Sequence, residues 1–66
     1  MNAEVIGTWA GQVWNALNES GKLTVKGLKK ATKLKEKEVY AALGWLAREG
    51  KVSMYEVDAD IEVVLL

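Results

Sequence analysis

The chain has 66 residues, half of them apolar, and its nine basic residues balance nine acidic ones. This length predicts a single domain, residues 1–66, that buries only about 60% of the surface its unfolded chain would expose. Because the chain has no cysteine and no histidine, disulfides, zinc sites and Cys- or His-based catalysis are excluded. We therefore expect no enzyme activity, no metal and no cofactor, and oligomerisation is the one common means of support left to so small a domain.

Three features of the sequence indicate where in the cell the protein is located. No apolar run approaches the roughly 18 residues of a membrane span, and the N-terminus lacks the basic region and apolar centre of a signal peptide. The absence of cysteine fits a reducing compartment. We predict a cytoplasmic protein with no membrane partner.

Charge is unevenly distributed along the chain. Seven lysines and one glutamate lie between Lys22 and Lys37, a net charge of +6. From Glu49 to Leu66, one lysine is accompanied by five carboxylates, a net charge of −4. Such asymmetry indicates either contact with nucleic acid or head-to-tail association.

A first helix is predicted from the N-cap Asn2 to about Glu19, and Ser20 and Gly21 end it. Its apolar positions are Val5, Ile6, Trp9, Ala10, Val13, Trp14, Ala16 and Leu17. They cover about half of the helix circumference, whereas one core requires a stripe of only about 100°. The excess predicts a second surface that meets a partner.

Two glycines, Gly7 and Gly11, lie four residues apart beside that apolar stripe. Each disfavours the helix by roughly 1 kcal/mol relative to alanine. Either another backbone approaches closely there, or the glycines are neutral residues on an exposed edge.

Residues Lys22 to Thr24 are predicted to form a short edge strand, after which Thr24 caps a second helix that runs to about Thr32. Leu28 and Ala31 are predicted to point inward from this helix. Its outer face carries Lys26, Lys29, Lys30 and Lys33.

A third helix is predicted to begin after Lys35, a poor N-cap, and to end before Gly50. Its core-facing stripe is Val39, Ala42, Leu43 and Leu46. Its outward residues are Lys37, Tyr40, Ala41, Gly44, Trp45 and Arg48. Trp45 is interpreted either as part of an apolar interaction patch or as peripheral core folded over the first helix or the wing.

The C-terminal residues, Val52 to Glu56 and Ile61 to Leu66, are predicted to form an antiparallel hairpin around Val57 to Asp60. Its candidate inward residues are Val52, Met54, Ile61 and Val63. The chain is therefore predicted to be an α+β winged helix-turn-helix, with three helices, a short edge strand and a C-terminal two-stranded wing.

Two sets of residues resemble a known family. The first set resembles the winged helix-turn-helix superfamily over about residues 20 to 64. It consists of Thr24, Leu28, Ala31 and Leu34, followed by Val39, Ala42, Leu43, Leu46, Glu49, Gly50, Lys51 and Val52. The second set is similar to a small family of stand-alone bacterial domains of this fold, of unassigned function. It consists of the string Gly44, Trp45, Leu46, Ala47, Arg48 and Glu49, with Trp9 and Trp14 in the first helix. The resemblance implies a homodimer but no ligand or reaction. In the wider superfamily, the third helix enters the DNA major groove and the wing contacts flanking phosphates.

A transcription-regulator-like DNA-binding module is the first functional hypothesis, with double-stranded DNA as a partner. The expected contact residues are Lys26, Lys29, Lys30, Lys33, Lys35, Lys37, Tyr40 and Arg48. The third helix offers one arginine and no asparagine or glutamine for reading bases, and the wing is acidic. The alternative is a lysine face that is simply solvated, on a protein–protein interaction module that does not bind DNA.

Three tryptophans exceed what one small core can hide, so a symmetric homodimer is also predicted. The expected interface residues are Val5, Ile6, Trp9, Val13, Trp14, Trp45 and Leu65.

Overall fold

A computed structural model describes residues Met1–Leu66 as three helices and three strands. In chain order the elements are α1 (Ala3–Ser20), β1 (Lys22–Thr24), α2 (Val25–Thr32), α3 (Glu36–Arg48), β2 (Val52–Val57) and β3 (Asp60–Leu65). The strands form one antiparallel sheet in the order β1-β3-β2. This arrangement confirms the predicted α+β class, with its edge strand and C-terminal wing.

The first two helices begin at side chains that accept hydrogen bonds from free backbone N–H groups. The Oδ1 of Asn2 accepts from the N–H of Val5 at 2.9 Å, and the Oγ1 of Thr24 accepts from the N–H of Gly27 at 3.1 Å. The first-turn N–H groups of a helix have no intrahelical acceptor, so these bonds fix where α1 and α2 start.

Helix α3 begins differently, because Lys35 has no side-chain acceptor to offer. Instead, Glu38 reaches back, and its Oε1 accepts a hydrogen bond from the backbone N–H of Lys35 at 2.8 Å. This is the acidic half of a capping box. Helix α2 ends just before it at Lys33, which is left-handed with a φ of 65°. The chain thereby turns from α2 into α3 within three residues.

The core consists of apolar side chains from all three helices and from the two wing strands. Its members are Ala10, Val13, Leu17, Val25, Leu28, Val39, Ala42, Leu43, Leu46, Val52 and Val63. No polar or charged side chain is buried. The predicted inward stripe of α3 is therefore confirmed, and polar chemistry is confined to the surface.

Two of the predicted inward residues are placed incorrectly. Ala31 is exposed, because Thr32 lies closer to the direction of Val25 and Leu28 at 100° per residue. The hydroxyl of Thr32 is satisfied locally by donating to the carbonyl of Leu28 at 2.6 Å. Met54 is 40% exposed, since β2 is an edge strand and nothing covers its open side.

Asp60 fastens the wing to the start of α2. Its Oδ2 accepts a hydrogen bond from the backbone N–H of Lys26 at 3.3 Å, and its Oδ1 accepts from the N–H of Ile61 at 2.7 Å. A carboxylate at this position is also favoured by the positive end of the helix dipole. These backbone bonds, that of Ile61 above all, hold the pKa of Asp60 below its ordinary value of 3.8.

We expect Asp60→Asn to lower the melting temperature at about pH 7, because the amide has only one acceptor oxygen for the two N–H donors, of Lys26 and Ile61, and lacks the negative charge. A carboxylate whose pKa is depressed by folding stabilises the protein above its unfolded-state pKa, here 3.8. That contribution is lost as the pH falls through the lower folded-state pKa. The difference between wild type and variant should therefore shrink toward about pH 3 in thermal melts.

Asp58→Asn is the matched control, since Asp58 lies in the same turn and its side chain accepts no hydrogen bond. Its φ is 52°, a conformation that asparagine tolerates well. An equal, pH-independent loss of stability in both variants would contradict the role assigned to Asp60.

Leu28→Ala should destabilise the domain by about 2–5 kcal/mol, because Leu28 is fully buried and the truncation leaves a cavity. Leu66→Ala removes the same atoms from a side chain that is 80% exposed and should change stability by less than about 0.5 kcal/mol. Urea unfolding followed by tryptophan fluorescence measures both. Similar losses in the two variants would argue against the described core.

Candidate nucleic-acid interface

The outward face of α3 carries little base-reading chemistry. Lys37, Gly44 and Arg48 lie opposite the core stripe, and all three are exposed. Arg48 alone has the planar fork that pairs with a guanine edge through two hydrogen bonds. The face thus presents one positive charge near each end of the helix and a bare glycine between them.

Two aromatic side chains lie on opposite flanks of α3. Tyr40 is 44% exposed and lines a cleft with Ala59 and Asp60 at the wing tip. Trp45 is 36% exposed and lies over α1, where a Cβ built on Gly7 would be 3.6 Å from the indole Cζ2. Trp45 therefore packs on the first helix, as the second of the two interpretations expected, and still leaves part of its ring exposed.

The lysines predicted to contact nucleic acid lie on α2, in the turn that follows it and in the first turn of α3. Five of them are exposed and form no ion pair within the chain: Lys26, Lys30, Lys33, Lys35 and Lys37. Lys29 differs, because its Nζ lies 3.4 Å from the Oε1 of Glu36. This pair links α2 to the first turn of α3. Exposed pairs of this kind contribute about 0–1 kcal/mol, so Lys29 remains available to another anion.

The wing tip places negative charge beside the start of α2. Asp60 is bonded to the N–H of Lys26 at 3.3 Å, and Glu56 and Asp58 are exposed on the same tip. A phosphate close to the tip would therefore meet carboxylates. The basic surface that remains open to an anion is the α2 side of the helix-turn-helix, away from the wing.

A second surface feature is a groove of about 410 Å³ between α1 and the C-terminal part of α3. Gly7 and Gly11 line it from α1, together with the indoles of Trp14 and Trp45. The two indoles are 37% and 36% exposed. No atom lies within 4 Å of a Cβ built on Gly11, so this glycine opens onto free space.

The residues predicted to form a dimer interface differ in how far the chain itself buries them. Val13 is fully buried in the core, so its assignment to an interface is wrong, because packing within the chain already covers it. Trp9 and Leu65 pack in part against the core, and Val5 and Ile6 are half-buried. Of the seven residues predicted to form the interface, only Trp14 and Trp45 are exposed.

No sequence pattern connects Trp45 with Gly7 or Asp60 with Lys26. Both contacts join elements that are far apart in the chain, and no helical or strand period relates them. The available signals were a glycine inside a helix and an acidic turn residue, and each had a simpler local explanation.

No helix is both long enough and apolar enough to cross a membrane. No three His, Cys, Asp or Glu side chains come close enough together to hold a metal ion.

Comparison with known proteins agrees with the architecture. The family model described as "Winged helix-turn-helix domain (DUF2582)" matches residues 1–65. The chain is similar to the solution NMR structure of protein BT2368 from Bacteroides thetaiotaomicron, with a TM-score of 0.87 and 35% sequence identity, covering 98% of this chain and 79% of that one.

No curated protein sequence matches the chain significantly. The resemblance to stand-alone bacterial winged helix-turn-helix domains of unassigned function is confirmed. The chain belongs to the DUF2582 family of winged helix-turn-helix domains.

Proposed function

We propose that this domain is a homodimeric DNA-binding module, a regulator or accessory factor whose lysines contact the phosphate backbone. One observation carries the proposal. Five lysines on α2, in the turn that follows it and in the first turn of α3 are exposed and have no acidic partner in the chain. The third helix of this fold commonly enters the DNA major groove.

The energetics follow from the polyelectrolyte character of DNA. Each phosphate neutralised by a lysine releases condensed counterions, so the logarithm of the binding constant falls with the logarithm of salt concentration by about 0.9 per contact. Four to six contacts correspond to micromolar affinity that weakens strongly as salt increases. A cytoplasmic location is part of the proposal, because the ligand is chromosomal DNA.

Base recognition is expected to be weak. Specific readout needs side chains that match donor and acceptor patterns on base edges, and the outward face of α3 offers only Lys37 and Arg48 for this. Tyr40 stands at the flank nearest the wing tip and can contribute a stacking or phosphate contact. Binding should therefore depend far more on salt than on DNA sequence.

The acidic wing constrains the docking pose. Because Glu56, Asp58 and Asp60 surround its tip, the wing is a poor partner for the flanking phosphates. Helix α2 must supply those contacts instead, with the duplex displaced toward Lys30 and Lys33. This orientation distinguishes the proposed complex from one in which the wing enters a groove.

The second candidate is a protein–protein interaction module of the same fold without DNA binding. The observation that favours it is the groove lined by Trp14 and Trp45, since half-exposed tryptophans are typical of protein interfaces. Winged helix-turn-helix domains are typically non-enzymatic, and we propose no catalytic role for this one.

The double variant Lys30→Gln/Lys33→Gln should weaken binding to a mixed-sequence duplex. The expected fall in the salt-dependence slope is about 1 for each lysine that contacts a phosphate. Fluorescence anisotropy of a labelled duplex, titrated at several salt concentrations from about 50 mM upward, measures both quantities.

Lys22→Gln, compared with Lys33→Gln alone, is the control with the same change in net charge. Lys22 is exposed, lies on β1 outside α2, α3 and the groove, and pairs with Glu62. This control should leave the slope unchanged. Wild-type protein that shows no binding at about 50 mM salt would exclude DNA as the ligand and leave the interaction module as the better candidate.

A further inference from the structure

Helix α1 presents an exposed face without charge. From Val5 to Asn18 the chain contains no Asp, Glu, Lys or Arg, although 27% of all its residues are charged. The exposed positions of this stretch are Thr8, Gly11, Gln12, Trp14, Asn15 and Asn18. The outer face of a surface helix normally carries charged residues, and depletion of charge with enrichment of aromatic residues is typical of the centre of a protein interface.

The two glycines of α1 have different explanations. At Gly7 the indole of Trp45 lies over the backbone, with its Cζ2 at 3.6 Å from the position of a Cβ. At Gly11 nothing in the chain comes within 4 Å of that position, and its φ is not positive. A helix-disfavouring residue is therefore present where the chain's own fold does not require one.

The two partly exposed indoles flank this open glycine. Trp14 and Trp45 both line the groove, and each leaves more than a third of its surface uncovered. Tryptophans at the centre of an interface commonly provide much of the binding energy when they insert into a pocket on the partner. The groove thus contains both a projecting side chain, Trp14, and the space into which an equivalent side chain can insert.

The charge distribution selects a second copy of this chain as the occupant. A two-fold axis places the same surface patch of two copies face to face. The lysines of α2 or the carboxylates of the wing would then meet their own sign, which is unfavourable. The Val5–Asn18 face has no charge to repel its copy. The two charged residues that line the groove beside it, Glu49 and Lys51, pair with each other at 3.7 Å, so this surface is suited to self-association.

We propose that two copies associate through their α1 faces about a two-fold axis, with Trp14 of each copy seated in the α1–α3 groove of the other, over Gly11 and beside Trp45. This proposal rests on the proposed function, which includes a homodimer, and specifies the surface through which the two copies associate. Lys26, Lys30 and Lys37 do not line the groove, so the interface leaves the lysine surface open to DNA.

Gly11→Glu tests the interface directly. It places a charged side chain at the proposed axis, at a position where the monomer has open space and where glutamate favours the helix more than glycine does. We expect a melting temperature at dilute, monomeric concentration that is equal to or above that of wild type. Sedimentation equilibrium should show a dimer dissociation constant raised at least about tenfold, equivalent to about 1.4 kcal/mol.

Gly44→Glu is the matched control. Gly44 also lies inside a helix, is exposed and has no atom within 4 Å of a built Cβ, but it is on the outward face of α3 and does not line the groove. This variant should dimerise like wild type. Loss of the dimer in Gly44→Glu but not in Gly11→Glu would move the interface to the outward face of α3 and overturn the proposal.

A second pair of variants removes apolar surface instead of adding charge. Trp14→Ala should weaken the dimer, whereas Tyr55→Ala, which truncates an aromatic side chain that is 53% exposed on β2, should not. A wild-type dimer that withstands both Gly11→Glu and Trp14→Ala overturns this interface and leaves the homodimer standing. Wild-type protein that remains monomeric at millimolar concentration would overturn both the homodimer and this interface. DNA binding would still be tested separately by the lysine variants.

Discussion

The packing of α1 against α3 is the contact on which the rest of the structure depends. Val13 and Leu17 from α1 and Leu43 and Leu46 from α3 belong to one core of only eleven buried side chains. In a domain this small, hydrophobic burial exceeds the conformational entropy cost of folding by a narrow margin. Helix α2 and the wing complete the same core, so neither could stay ordered if the two long helices separated.

The wholly apolar core leaves all charge on the surface, and two regions of that surface carry opposite charge. Lysines occupy α2 and the turn into α3, and carboxylates occupy the wing. Asp60 joins the regions, because its carboxylate accepts a hydrogen bond from the N–H of Lys26 at the start of α2. The wing is thereby held next to the basic segment, and in the proposed complex the DNA lies toward the opposite side of α2.

The outward orientation of much of the candidate site could be predicted from the helical period of the sequence. Once α2 was assigned, Lys26 and Lys30 had to face outward, because Val25 and Leu28 face the core. The ion pair of Lys29 with Glu36 could not be predicted in the same way, since it depends on how two helices meet. Val13 was misassigned because a wide apolar stripe does not reveal which of its residues the chain covers itself.

The sequence by itself determined the elements, their order and most of their ends, because caps such as Asn2 and Thr24 act within four residues along the chain. The sequence also distinguished the basic segment, residues 22–37, from the acidic segment, residues 49–66. Only the tertiary structure decided that Trp45 lies over Gly7, that Gly11 opens onto free space and that Asp60 reaches α2. These features are set by the distance between elements that are remote in the chain, and no local periodicity encodes that distance.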